Sequence, residues 1–521
     1  MAGVAGRTRT RRTGFGAVVL SDPDARIDPG TERGRGSIAL EPNSDRMPNL
    51  PGILAGILIF VAAKSYQALA AIQVDTDFFT HLAIGRWIVE HRAIPTYDVL
   101  SWTGRLFHLP YTYQEWLFDI GEYSLWHRFG LAGPYLLTAL LASAGVLLTF
   151  MLARRRGARP LVALVAAMVA YVAMMASVAP RPQMVTFVLV VVCALLFEYD
   201  QPWLVLPVYL LGIQLHGGTY PLYLVVAGYY ALRDRRYLVL PAMAALTVLT
   251  PSGLGLVAYP FKAFGSLAGV PIIEAAPVSF GKMPLHYIAL LLAAIVAIKR
   301  PVPWLERLFV LALAGLSLLA MRQLAWFYLL GVPVLLTYLP LPTPKEAPAE
   351  EPAAELSAAR PAPRAALGRV DRVGSLVLIA CLLIVSVPIS ARAALSRLNE
   401  DRGFPKQAVA YIKEHRVTRV MNRLNEGGYL NAHGVPSMVD GRIDPFTASS
   451  NGGRDIMGPY VDVLFAMADA RPFLDKYGVQ ALLVPARSQV AIALAVRQEF
   501  PVVLRDGAFV LIEYHPDRAA K

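Results

Sequence analysis

Apolar runs recur along this chain at 133–153, 160–179, 184–198, 237–250, 284–298, 305–320 and 373–390. A lipid bilayer imposes that pattern, because its hydrocarbon core of about 30 Å asks for roughly 20 mostly apolar residues per helix and leaves exposed backbone unhydrated. Several runs fall short of a full span, so flanking residues, tilt or broken helices must complete them. The chain is 56% hydrophobic and only 17% charged, against roughly 25% charged in soluble globular proteins, and a water-soluble fold has no place for that excess. The expected fold class is a polytopic α-helical membrane protein with about eleven transmembrane helices and a small C-terminal α/β soluble domain.

The formal charge of +12 does not point to nucleic acid, because the arginines are spread along the chain and mostly border apolar runs. Short cytoplasmic loops collect Lys and Arg, which places Arg154–Arg156, Arg233–Arg236 and Lys299–Arg307 inside and makes the intervening turns external. Residues 1–49 are expected as a disordered basic cytoplasmic tail, 50–340 as the membrane domain with a long external loop at 72–132, and 341–372 as a cytoplasmic Pro/Ala-rich linker. Residues 373–391 then form the last span and 392–521 an external α/β domain. Within that domain Pro405–His415 and Ser488–Phe500 have helical spacing. Val417–Met421, Ser437–Val439, Ala481–Val484 and the pair Val502–Leu504 with Phe509–Ile512 read as strands, the last two joined by an Asp506-Gly507 turn signal. Cys193 and Cys381 lie in apolar segments, without disulfide or zinc spacing.

Ionisable groups beside a membrane core are functional candidates unless they snorkel, and here they gather in the external turns. The loop 72–132 opens on Asp75-Thr76-Asp77 and holds His81 and Glu115. Two carboxylates two residues apart can share a divalent cation or divide metal and proton work; equally, they can cap a helix over Phe78–His91. That segment has amphipathic spacing and is expected along the membrane surface, with Trp102, Tyr113, Trp116 and Trp126 as interfacial aromatics. Arg181 lies between two prolines in a tight turn, as a snorkel or a ligand contact. Arg322 sits between two apolar segments and needs an anionic partner, either a phosphate or a structural ion pair. His216 precedes two glycines at another turn, and Glu274 stands among apolar neighbours, where a carboxylate can shift its pKa or meet a cation.

Asp77 is followed by Phe78-Phe79 and, twelve residues on, by Val89-Glu90. The C-terminal segment holds Asn425-Glu426-Gly427-Gly428-Tyr429-Leu430 and then Val439-Asp440-Gly441-Arg442. With Arg181-Pro182-Gln183 and His216-Gly217-Gly218, these segments resemble the GT-C superfamily of membrane glycosyltransferases, including the oligosaccharyltransferase catalytic subunit and bacterial polyprenyl-phosphate sugar transferases. The resemblance implies an inverting transfer of sugar from a polyprenyl-phosphate donor to a glycan, lipid or protein acceptor. Asp77, Asp75 and Glu274 would be its catalytic acids, and Arg322, Arg181, His216, His81, Glu115 and Tyr429 its substrate-binding residues. It also implies a divalent cation (Mg or Mn) on Asp77 and Asp75 in some members, and no other cofactor. The tryptophans and Asp that hold an acceptor peptide in oligosaccharyltransferase are missing here, which leaves peptide N-glycosylation without support. Two other classes stay open: a transporter or flippase of lipid-linked glycans, and a noncatalytic scaffold presenting the C-terminal domain.

Overall fold

The computed structural model describes residues 50–71, 73–234, 238–266, 276–339 and 398–517. Glu274, Arg235, Arg236, the expected linker at 341–372 and the expected last span at 373–391 lie outside the described residues. The described part opens with α1 (Leu50–Ala71), followed by α2 (Thr76–His91), α3 (Trp102–Phe107) and α4 (Trp116–Phe129). A bundle follows, made of α5 (Ala132–Arg155), α6 (Pro160–Met174), α7 (Pro182–Glu198), α8 (Val205–Leu215), α9 (Tyr220–Asp234), α10 (Val239–Thr247), α11 (Leu254–Ser266), α12 (Pro284–Lys299) and α13 (Trp304–Leu319). Its last described helix, α14, joins Leu324–Trp326, a π-helical turn over Phe327–Gly331, and Val332–Leu336.

Among the described residues three helical segments are long and apolar enough to cross a membrane: Leu54–Ala71, Ala132–Arg155 and Pro160–Ser177. Shorter apolar helices run over Pro182–Glu198, Pro202–Leu215, Pro284–Lys299 and Met321–Leu336. The run expected at 237–250 gives only the nine residues of α10, after which a turn leads to α11. Helix α5 is the hub, packing on α1, α6 and α7. Its inward face carries Ala139, Ala142, Ser143, Gly145 and Val146, while Leu136 and Leu140 point outward and stay exposed. Small residues inside and large apolar ones outside is the arrangement by which helices approach closely in lipid, where burying leucine against protein gains little over burying it in acyl chains.

The C-terminal region contains α15 (Lys406–Glu414), β1 (Val420–Asn422), α16 (Leu424–Ala432), α17 (Met457–Leu464), α18 (Ala470–Tyr477), β2 (Ala481–Pro485), α19 (Gln489–Leu494), β3 (Val502–Asp506) and β4 (Phe509–Glu513). The four strands form one sheet in the order β1-β2-β4-β3, with β1 parallel to β2 and the other pairs antiparallel. The hairpin β3–β4 turns through Gly507 at φ 58°, a conformation glycine adopts without a Cβ clash. The helix expected to run to Phe500 stops at Leu494, and the strand expected at Ser437–Val439 does not form. Those residues spend their backbone bonds elsewhere: the Ser437 and Met438 amides donate to the side chains of Asn431 and Asn422, and the Ser437 carbonyl accepts from the Trp102 amide.

Packing shows what the apolar side chains of the first loop meet, and it corrects the reading of Trp102 and Tyr113 as interfacial aromatics. Helix α2 is covered by α4 on one side and by α16 on another, burying Phe78, Phe79, Leu82, Ala83 and Ile84 within protein. Trp102 and Tyr113 are likewise internal. Trp102 joins Leu109 in the same apolar core as Met421, Phe446, Tyr460 and Leu482, and its indole N–H donates to the Val420 carbonyl at 3.1 Å. Tyr113 packs with Ala83, Ile84 and Ile88.

Candidate active site

The start of α2 fixes the first two acidic side chains and gives them different surroundings. Asp75 is the N-cap, its Oδ1 accepting from the Asp77 amide at 2.9 Å, and such a cap satisfies one of the orphan amides of the first turn. Arg181 then donates to Asp75 from Nε at 2.8 Å and from Nη2 at 2.9 Å. Both oxygens of Asp75 therefore accept from N–H donors, which ties this carboxylate to the helix start and to Arg181. Asp77 lies in the first turn with its side chain 38% exposed, 3.3 Å from the Arg181 guanidinium, and faces a cavity of about 340 Å³.

Helix α4 brings a second acidic group to the same cavity. Glu115, Asp119 and Glu122 recur at i, i+4 and i+7, one helical face, and that face meets His81 of α2. His81 Nδ1 lies 2.7 Å from Asp119 Oδ1 and 3.8 Å from Glu115. Burial works against the imidazolium, but the Asp119 hydrogen bond and the charges of Asp119, Glu115 and Glu122 outweigh it and raise the His81 pKa to about 10. Burial pushes Glu115 up to about 7, with the His81 charge pulling against that shift. His216 is pushed down to about 3 by burial, then by the positive charges of His81 and Arg322. It is neutral at ordinary pH, so its 3.5 Å approach to Glu115 is not an ion pair. Its Nδ1 instead shares a 2.7 Å hydrogen bond with the Thr186 hydroxyl.

Cations complete the lining. Arg322 stands on the short 3₁₀ turn Met321–Gln323 that links α13 to α14, and the Gln183 amide donates to its backbone carbonyl at 2.9 Å. Its guanidinium has no ion pair among the described residues and lines the cavity. Arg442 enters from the C-terminal region. It is buried against Asp98 and Asp440, donating from Nη2 to the first at 2.6 Å and from Nε to the second at 2.8 Å, and it stacks over Tyr111 at 4.8 Å.

No family model and no curated protein matches this chain. Among solved structures it is similar to ArnT from Cupriavidus metallidurans. In the apo state that protein shows 15% identity and a TM-score of 0.47, over 90% of this chain and 99% of that one. Bound to undecaprenyl phosphate it shows 14% identity and a TM-score of 0.46, over 90% and 98%.

Asp77, His81, Glu115, Arg181, His216 and Arg322 thus line one cavity. Tyr429 lies outside it. That ring is fully buried, stacked on Phe404 and edge-on to Phe79, with its hydroxyl donating to Asp401 at 2.6 Å. The two glycines before it serve close packing: a Cβ on Gly428 would sit 2.7 Å from the Thr76 carbonyl of α2, and one on Gly427 would sit 2.2 Å from the Val439 carbonyl of the loop that follows. Gly441 has the same role at the site itself, its absent Cβ leaving room for Asp77 Oδ1. Asp119, Tyr111, Tyr259, Arg442 and Asp444 were not among the sequence candidates, yet all but Asp119 line the cavity and Asp119 holds His81. The i, i+4 spacing from Glu115 was the available signal for Asp119; the tyrosines carried none. His81, Glu115 and Asp119 offer ligand atoms within 4.8 Å of one another, an imidazole and two carboxylates, which is a donor set suited to a divalent cation.

Proposed function

We propose that this protein is a membrane glycosyltransferase of the GT-C type that moves a sugar from a polyprenyl-phosphate-linked donor to an acceptor hydroxyl, with inversion. The observation that carries the reading is one cavity shared by a half-exposed carboxylate, Asp77, and a guanidinium without an ion pair among the described residues, Arg322. The reaction needs those two opposite charges. Asp77 accepts the acceptor's proton as its oxygen bonds to the anomeric carbon. The bond from that carbon to the phosphate oxygen breaks, and its electron pair leaves with the polyprenyl phosphate. Arg322 meets the charge that develops on the phosphate with planar N–H donors.

Arg181, held by Asp75, lies 3.3 Å from Asp77 and orients that carboxylate. Neutral His216, beside Glu115 in the same cavity, is a substrate contact. If a divalent cation takes part, His81, Glu115 and Asp119 would hold it, and when bound it would offset charge on the departing phosphate. The segments shared with GT-C enzymes also support the reading, as does the apolar character of α1, α5 and α6.

The test is transfer from labelled polyprenyl-phosphate sugars by purified protein. Asp77→Asn is expected to abolish transfer while expression and melting temperature stay at wild-type values; full activity in that variant ends the assignment. Movement of the labelled lipid across liposomes without chemical change would instead favour a flippase.

A further inference from the structure

Helices α13 and α14 form the two limbs of a hairpin whose tip carries Arg322. Ser317 lies five residues before Arg322 on one limb, and Tyr328 lies six after it on the other, inside the π-helical turn. His286, from the first turn of α12, touches both: its Nδ1 is 3.0 Å from the Tyr328 hydroxyl and its Nε2 is 3.0 Å from the Ser317 hydroxyl. All three side chains are buried. A buried ionisable residue packed among apolar helices invites a functional explanation, and π-turns concentrate at functional positions.

One assignment of protons satisfies every contact. Ser317 has a single hydroxyl hydrogen, and it donates to the Ala314 carbonyl at 2.7 Å. The Ser317 oxygen therefore accepts from His286 Nε2–H, which leaves Nδ1 as a lone pair to accept from Tyr328 O–H. A neutral imidazole thus bridges the limbs in one continuous run of hydrogen bonds. The tip is held from two further sides: the Met321 amide donates to the Ala276 carbonyl at 3.2 Å, and Gln183 donates to the Arg322 carbonyl at 2.9 Å. Trp326, between Arg322 and the π-turn, faces the cavity and packs on Phe187 at 4.8 Å.

We infer that His286 is a positioning residue: by clamping Ser317 and Tyr328 it sets the hairpin register that presents Arg322 to the phosphate of the lipid-linked donor. The inference rests on the reading of Arg322 as the phosphate-binding group. A long, unbraced guanidinium on a two-limbed turn has many placements, and the clamp selects one of them before ligand arrives, which lowers the ordering cost of binding.

The experiment compares binding of a short-chain polyprenyl monophosphate and the corresponding polyprenol to full-length protein in detergent. The ratio of the two affinities isolates the phosphate contribution. Arg322→Ala is expected to remove most of the preference for the phosphate. His286→Phe keeps an aromatic ring of similar bulk and Tyr328→Phe deletes a single hydroxyl. Each is expected to lower the preference about five- to tenfold, the loss that follows from one or two hydrogen bonds, with polyprenol affinity unchanged. His286→Gln, which retains an amide donor and acceptor, should restore part of it. The double variant Arg322→Ala/His286→Phe should lose no more than Arg322→Ala alone. Full preference in both His286→Phe and Tyr328→Phe, equal loss of polyprenol binding, or additive losses in the double variant would each overturn the positioning role. If Arg322→Ala itself keeps the preference, the phosphate reading of Arg322 fails, and that outcome is distinct from failure of the clamp alone.

Discussion

Gly441→Ala gives a sharp test of whether Asp77 does the chemistry, because the added methyl meets almost nothing else. Its Cβ would lie 2.7 Å from Asp77 Oδ1 and 3.9 Å from Asp77 Cγ, with no other contact within 4 Å. Comfortable non-bonded separations begin at about 3.5 Å, so the carboxylate must move by ~0.8 Å. Gly441 has no left-handed backbone, so alanine fits its φ without strain. Asp77 is partly exposed to the cavity and can shift, so the fold should lose less than about 1 kcal/mol. Misplacing a reacting group by roughly 1 Å costs about a hundredfold in rate. The expected result is a loss of transfer of about thirty- to a hundredfold with an unchanged melting temperature, read by initial rates with a labelled polyprenyl-phosphate sugar beside a thermal melt. Gly427→Ala is the contrasting control: its Cβ would strike the Val439 carbonyl and the Asp440 Cα, both backbone, so it should lower the melting temperature outright. Activity within twofold of wild type in folded Gly441→Ala would refute the placement of Asp77 at the reacting centre.

Burial raises Glu115 to about 7 while His81 stays protonated to about 10, so raising the pH from 6 to 8 takes Glu115 from roughly one-tenth to roughly nine-tenths ionised. A phosphate monoester also ionises at about pH 6, so affinity for a polyprenyl monophosphate is read as the ratio to Glu115→Gln with chelator present, and that ratio should fall as the pH rises across the window. Arg442→Met leaves the buried carboxylates of Asp98 and Asp440 without their cation and is expected to destabilise the protein by about 3–5 kcal/mol, seen as a lowered melting temperature. Residues 398–521 expressed alone lack Trp102 and Leu109, which complete their core, and should show no cooperative unfolding. In the intact chain Trp102→Ala should cost about 3–5 kcal/mol.

The features legible in the sequence were those with a local signature. The apolar runs that fall within the described residues became helices, because apolar segments in lipid have few other options, and the Asp506-Gly507 signal marked the β3–β4 hairpin. Asp75 is the cap that one of the two open readings of the D-x-D pair required. What was not legible depends on contacts between distant residues. Trp102 reads as an interfacial aromatic by composition, but its partner is the Val420 carbonyl, more than three hundred positions on. Arg442 was visible only as part of a short motif, because its counter-ion Asp98 belongs to the first loop. The Glu-Gly-Gly-Tyr segment looked like a ligand motif, yet Gly428 lets α16 approach α2, Gly427 lets it approach the Val439–Asp440 backbone, and its tyrosine fills a buried aromatic cluster. Asp119 is a different kind of miss, since its helical spacing from Glu115 was plain and only its partner His81 was not.

A cavity bounded by Asp77 at one end of the sequence and by Arg442 and Asp444 near the other has a consequence for biosynthesis. A ribosome adding about 5–20 residues per second needs roughly 20–70 s to travel from the first of these positions to the last. Throughout that interval the nascent protein holds Asp77 without the wall that Gly441 and Arg442 supply. A product released early carries only part of the cavity. The assembled pocket thus certifies that translation has passed residue 444.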